Sequence, residues 1–112
     1  MFQHEQSNEG LVRAFYDLAF NGRRPDEAAA MYLGEAYRQH NDTDADGVRT
    51  FMGTITGFVQ AFPDLRAECT RLLADGEFVV AEMSVVPRPG VPGFATMDIF
   101  RVRAGKIVEH WT

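Results

Sequence analysis

The sequence is poor in cysteine, in basic charge and in long apolar runs, and each shortage removes a class of function. One cysteine, Cys69, stands among 112 residues, so no internal disulfide can form. A lone thiol suits a reducing compartment and reads as a small buried apolar residue. Lysine and arginine number 11 against 16 aspartates and glutamates, a formal net charge of −5. The basic residues are scattered apart from Arg23-Arg24, so no basic face is on offer to a phosphate backbone and no nucleic-acid partner is expected. No apolar run approaches the ~20 residues of a membrane span. Met1 to Gln6 hold no basic region followed by an apolar stretch, so neither a membrane partner nor a signal peptide is expected. The expectation is a cytoplasmic protein.

Chemical motifs are equally sparse. His4, His40 and His110 lack ligand spacing and there is no Cys/His cluster, so no metal site is expected. No glycine-rich phosphate loop follows a strand pattern, since Gly53 and Gly57 fall inside a helical one. No nucleophile elbow surrounds Ser7 or Ser84. Neither a metal nor an organic cofactor is expected.

What is present is an ordinary apolar content of 46%, enough for one domain spanning 1–112, in two differently patterned halves. Ser7 reads as the N-cap of a first helix whose stripe holds Leu11, Phe15 and Leu18. Asn21-Gly22 ends it, with glycine taking the left-handed turn. Pro25 starts a short second helix through Met31. Tyr32 to Asn41 reads as an extended piece running into a polar loop, in which Asp44 or Asp46 caps a third helix over 48–62. Phe51, Ile55, Phe58, Val59 and Phe62 form that helix's stripe, and Pro63-Asp64 stops it. The second half then alternates with period two over 65–73, 78–86, 94–102 and 106–111. Asp75-Gly76 and Ala104-Gly105 make tight links, and 87–93 a longer proline-rich one. Helices followed by closely linked strands predict an α+β fold, with the helices packed on a curved, mainly antiparallel sheet.

The closing segment Asp98-Ile99-Phe100-Arg101-Val102-Arg103-Ala104-Gly105-Lys106-Ile107-Val108-Glu109-His110-Trp111 resembles the last hairpin of the SnoaL-like polyketide cyclase family. Tyr37-Arg38-Gln39-His40-Asn41 and Phe62-Pro63-Asp64-Leu65, the latter followed by a strand and Asp75-Gly76, resemble it too, in order and spacing. The resemblance implies the cone-shaped, cystatin-like barrel shared with nuclear transport factor two and ketosteroid isomerase. It implies an acid/base aspartate at Asp98 and pocket-lining polar residues near His40 and Asn41. The family's histidine after Asp75-Gly76 is replaced here by Glu82, its glutamine two residues earlier by Val80, and an aspartate after the tryptophan by Thr112.

Alternation places Val80, Glu82 and Ser84 on one face of their strand, and Asp98, Phe100 and Val102 on one face of theirs. If both faces point inward, two carboxylates share an apolar chamber and split into an acid and a base. Asp98 then abstracts a proton beside a carbonyl, and Tyr37, His40 or protonated Glu82 donates to the oxyanion. Phe15, Phe58, Phe100, Asn41 and Val80 are the further candidates for lining the pocket. Each has a plainer reading: Asp98 bonded to backbone, Glu82 facing solvent or an arginine, His40 an ordinary loop histidine, Tyr37 a packing residue. His110 depends on register. A two-residue turn at Ala104-Gly105 puts Trp111 on the face of Asp98, whereas a three-residue turn with a glycine bulge puts His110 there and Glu109 beside Arg101. The second is preferred, because it joins Arg101 to Glu109.

The expected activity is cofactor-free acid/base chemistry at a carbon acid, either aldol-type cyclisation (a lyase) or isomerisation of a polyketide-like or cyclic substrate. Epoxide or lactone hydrolysis ranks lower. The alternative is a non-catalytic small-molecule binding or dimerisation module of the same fold. A homodimer through the sheet's outer face is also expected, with Ile99, Ile107 and Trp111 forming an apolar patch.

Overall fold

The computed structural model describes residues 7–39 and 47–111. Three helices, α1 (Asn8–Tyr16), α2 (Pro25–Tyr32) and α3 (Gly47–Ala61), pack on a sheet of β1 (Leu33–Gln39), β2 (Arg66–Asp75), β3 (Phe78–Val86), β4 (Phe94–Arg103) and β5 (Lys106–Trp111). The strands lie in the order β1-β5-β4-β3-β2. The β1–β5 pair is parallel and the other pairs antiparallel. The predicted α+β architecture is thus present, with the extended piece before the loop recruited as an edge strand. The curved sheet stays unclosed, so the molecule is an open cone and not a closed barrel. No helix among the described residues is long and apolar enough to cross a membrane. The expected caps Asp44 and Asp46 lie outside the described residues.

Ser7 caps α1 as its sequence predicts, its Oγ accepting from the Gly10 N–H at 3.1 Å. The helix end departs from the prediction. Residues Asp17–Asn21 continue as a π-helical turn, and Gly22 keeps a right-handed φ of −76°. The left-handed position falls on Arg23, at φ 57°. Gly22 is needed for space instead, because a Cβ there would stand 2.8 Å from the Leu18 carbonyl oxygen.

The end of the π-turn and the left-handed residue after it present two side chains that tie the helical layer to the rest. Asn21 bonds the edge of β2 from both amide atoms, donating to the Ala67 carbonyl at 2.7 Å and accepting from its N–H at 2.9 Å. A strand edge that would otherwise template aggregation is covered in this way. The Arg23 guanidinium donates to the carbonyls of Val59, Phe62, Pro63 and Leu65, which satisfies acceptors at the C-terminal end of α3.

In β3 the inward side chains are Val79, Ala81, Met83 and Val85, all buried. Facing them across the register, β4 turns in Asp98, Phe100 and Val102. The β2–β3 turn sits one residue later than predicted: Asp75 pairs with Phe78, and Gly76 takes the first central position at φ 60°.

Candidate active site

The last hairpin sets the site. Ala104 and Gly105 both have positive φ, 53° and 76°, the pattern of the two-residue turn that matches strand twist, and Arg103 pairs with Lys106. The preferred three-residue turn is therefore corrected. Yet the pairing moves on by one between Val102↔Ile107 and Arg101↔Glu109. The extra residue, Val108, is a β-bulge, and beyond it the faces reverse relative to an unbulged ladder. Ile107 and His110, three apart, consequently both point inward, at 0% and 2% exposure. The predicted facing of His110 toward Asp98 is found, by a different device. Ile107 belongs to the core and is removed from the expected outer patch.

His110 Nε2 lies 2.7 Å from Asp98 Oδ1. Both side chains are buried, so removing either one leaves the other's polar atoms buried without that partner. The second carboxylate oxygen, Oδ2, accepts from Thr96 Oγ1 at 3.0 Å, two residues back on the same strand face. The Tyr16 side chain, at the end of α1, lines the same chamber as the carboxylate. The imidazole is held between two rings, with Phe100 stacked at 4.4 Å and Phe51 tilted at 4.5 Å. A buried carboxyl group bonded from both oxygens and a ring clamped on both faces form a pre-oriented dyad.

Burial, and after it the negative charge of Asp98, raises the Tyr16 phenol well above its ordinary value. The same causes, in the same order, raise Tyr37. Both remain neutral O–H groups at any ordinary pH and can only enter chemistry as donors.

The dyad closes the polar end of a chamber of about 140 Å³. Its walls are apolar, with Phe20, Phe51, Ile55, Phe58 and Met83 among them. Thr54 and Phe94 are its exposed members, so it opens at that end. Phe58 and Phe94 stand there with ring centroids 6.1 Å apart. A second, open cleft of about 710 Å³ runs between α1 and the β2–β3 hairpin. The larger space holds no dyad, so the smaller one is the candidate site.

Of the predicted site residues, Asp98, His110 and Phe58 meet at the chamber. Phe15, Phe100 and Tyr37 stand one layer behind, with Phe15 and Tyr37 packed on Phe51 at 5.8 and 6.1 Å. Glu82 and Val80 are corrected: both lie on the opposite face of β3 from buried Ala81 and Met83. Glu82 there accepts from Thr70 Oγ1 at 3.1 Å and lies 3.9 Å from Arg71, so the expected pair of inward carboxylates is absent. The cause is parity: Ala81 is the residue across from Asp98, so its neighbours Val80 and Glu82 must face outward. His40 and Asn41 lie outside the described residues. Tyr16, Thr96 and Met83 were missed. Thr96 was accessible from strand period, being two residues before Asp98. Among the described residues no group of three His, Cys, Asp or Glu side chains is placed to hold a metal ion.

Three solved structures share this geometry of fold. IdmH, a candidate polyketide cyclase from Streptomyces antibioticus, is 22% identical over 94% of this chain and 89% of its own, with a TM-score of 0.71. TsrD from Streptomyces laurentii is 22% identical over 97% and 89%, TM-score 0.74. A cystatin-fold protein from Novosphingobium aromaticivorans is 16% identical over 96% and 97%, TM-score 0.73. At these identities the likeness is one of fold. No curated protein matches the sequence. The SnoaL-like domain, however, matches residues 12–110, nearly the whole length, and the chain belongs to that family.

Proposed function

We propose that this protein is a cytoplasmic, cofactor-free enzyme that removes a proton beside a carbonyl in a small, mostly apolar substrate. The observation that carries this reading is the Asp98–His110 contact of 2.7 Å at the polar end of an aromatic chamber. Asp98 takes the α-proton, the C–H electron pair moves into the carbonyl, and an enolate forms. The Tyr16 hydroxyl, on the chamber wall, donates to the developing oxyanion, with Tyr37 behind it. His110 donates from Nε2 to Oδ1, keeping the carboxylate aimed. The protonated Asp98 then returns its proton, either to a more distant carbon (isomerisation) or to the alkoxide left when the enolate carbon attacks a second carbonyl (aldol-type cyclisation). A positioned base contributes roughly 10²–10⁴-fold and one oxyanion donor roughly 10²–10³-fold.

The test is conversion of cyclohex-3-enone to its conjugated isomer, with phenol binding measured alongside. Asp98→Asn should lose about 10²-fold or more in kcat and still bind phenol. Conversion untouched by Asp98→Asn removes Asp98 as the base. Phenol binding without conversion by either form favours the non-catalytic binding module.

We also propose a homodimer through the outer face of the sheet. Leu73, Val80, Ile99 and Trp111 are successive partners across β2, β3, β4 and β5, an apolar row crossing the sheet. Phe78 packs on Trp111 at 6.1 Å, and Met97 adds a side chain 56% exposed. Apolar patches of this kind mark contacts. Sedimentation as a dimer that Ile99→Lys converts to monomer supports it; a wild-type monomer at micromolar concentration refutes it.

A further inference from the structure

Two residues, Tyr16 and Met83, line both the chamber and the open cleft between α1 and the β2–β3 hairpin, so their side chains form the wall between them. Met83 is 2% exposed and sits across from Thr96 in the β3–β4 register, two register pairs from Asp98 and on the same inward face. Its thioether is tethered: Cys69 Sγ donates to Met83 Sδ at 3.1 Å. Burial raises the Cys69 thiol above its ordinary value, so the S–H needed for that contact is present. Methionine is otherwise a flexible gap-filler. Here a neighbouring strand fixes it in place.

Volume gives that wall its meaning. The chamber of about 140 Å³ matches an engineered apolar cavity of ~150 Å³ that takes up benzene. It is well below the roughly 300–1,000 Å³ of sites for larger organic ligands. A fused ring system exceeds it, so its second ring must either project through the mouth at Thr54 and Phe94, away from the dyad, or displace the wall, beyond which lie about 710 Å³ of open cleft.

We propose that Met83, pinned by Cys69, is the size-determining residue of the chamber, which selects substrates whose reacting part is a single ring or an equally compact chain and rejects fused polycyclic ones. The enolisable carbonyl on that ring rests on the function proposed above. The size limit rests on the chamber alone.

Phenol and 2-naphthol are the probes, measured by calorimetry against the intact protein. The second ring adds apolar area and by hydrophobicity alone would bind tighter. The wild type should reverse this order, binding phenol at least about ten-fold more tightly. Met83→Ala, which joins chamber to cleft, should restore the hydrophobic order. Met83→Leu, nearly equal in volume, should keep the wild-type preference. Should Met83→Ala fail to fold, Cys69→Ala releases the thioether without hollowing the wall, and 2-naphthol should gain affinity relative to phenol. Naphthol binding to the wild type as tightly as phenol overturns the proposal, as does an unchanged order in the folded variants. If the size order holds while cyclohex-3-enone is not converted, the enolisation reading fails and the size limit stands.

Discussion

Arg101 and Glu109 face each other across β4 and β5, joined at 3.2 Å, and that pairing exists because Val108 bulges out of the ladder. The same ion pair joins Glu77, which bonds Arg101 at 3.0 Å and Arg103 at 3.1 Å and whose carboxyl these guanidinium contacts lower to about 2. The network pins the register that delivers His110 to Asp98, one residue further along the strand.

Deleting Val108 should therefore keep the dyad, because it removes the one residue that the ladder skips. Ile107 would still pair with Val102, Glu109 with Arg101 and His110 with Phe100, now in an unbulged ladder. Urea denaturation and the His110 ring resonances decide. A variant that unfolds, or whose His110 ring loses its shielding between Phe51 and Phe100, would show that the bulge itself is required.

Thr96→Val should keep the shape of the strand and remove the hydroxyl bonded to Asp98 Oδ2. A buried acceptor left one donor short costs about 1–3 kcal/mol. The loss should be visible in urea melts, and it should shrink in an Asp98→Asn background, where the charge is gone. Equal losses in both backgrounds would mean that the hydroxyl acts elsewhere.

Alkaline pH should unfold the protein through its buried phenols. Folded-state values for Tyr16 and Tyr37 are raised, by burial first and by Asp98 second, above the ~10 of a free phenol. Their contribution to stability is complete below that ordinary value. It is lost as pH climbs past it toward the folded-state values, because only the unfolded chain can then release the protons. Phenolate absorbance from the buried pair should thus appear together with loss of the circular dichroism signal. Smooth ionisation of Tyr16 and Tyr37 in a protein that stays folded would contradict it.

Arg23→Ala should destabilise by about 1.5–3 kcal/mol, the range for hydrogen bonds from a charged donor, because the carbonyls at the end of α3 lose their partner. Arg23→Gly should cost about 1 kcal/mol less, since glycine tolerates the φ of 57° that arginine and alanine do not. Thermal melts of the two variants separate the hydrogen bonds from the backbone effect.

The sequence by itself determined the elements and their class. Helical spacing of Leu11 and Phe15, proline at the start of α2 and period-two runs after Leu65 are local signals, and local sterics and burial obey them. It also singled out Asp98, whose strand face follows from Phe100 and Val102. Tertiary structure decided which side chains meet that carboxylate. Facing in a strand reverses with a shift of one residue, so the bulging of Val108 out of the ladder brought His110 in, while the parity of Ala81 against Asp98 turned Glu82 out. Tyr16 reached the site through the docking of a helix onto a sheet far away in sequence. The chamber's size likewise depended on a thioether held by a thiol of another strand. Such contacts join residues that no sequence period connects, and only the packed chain brings them together.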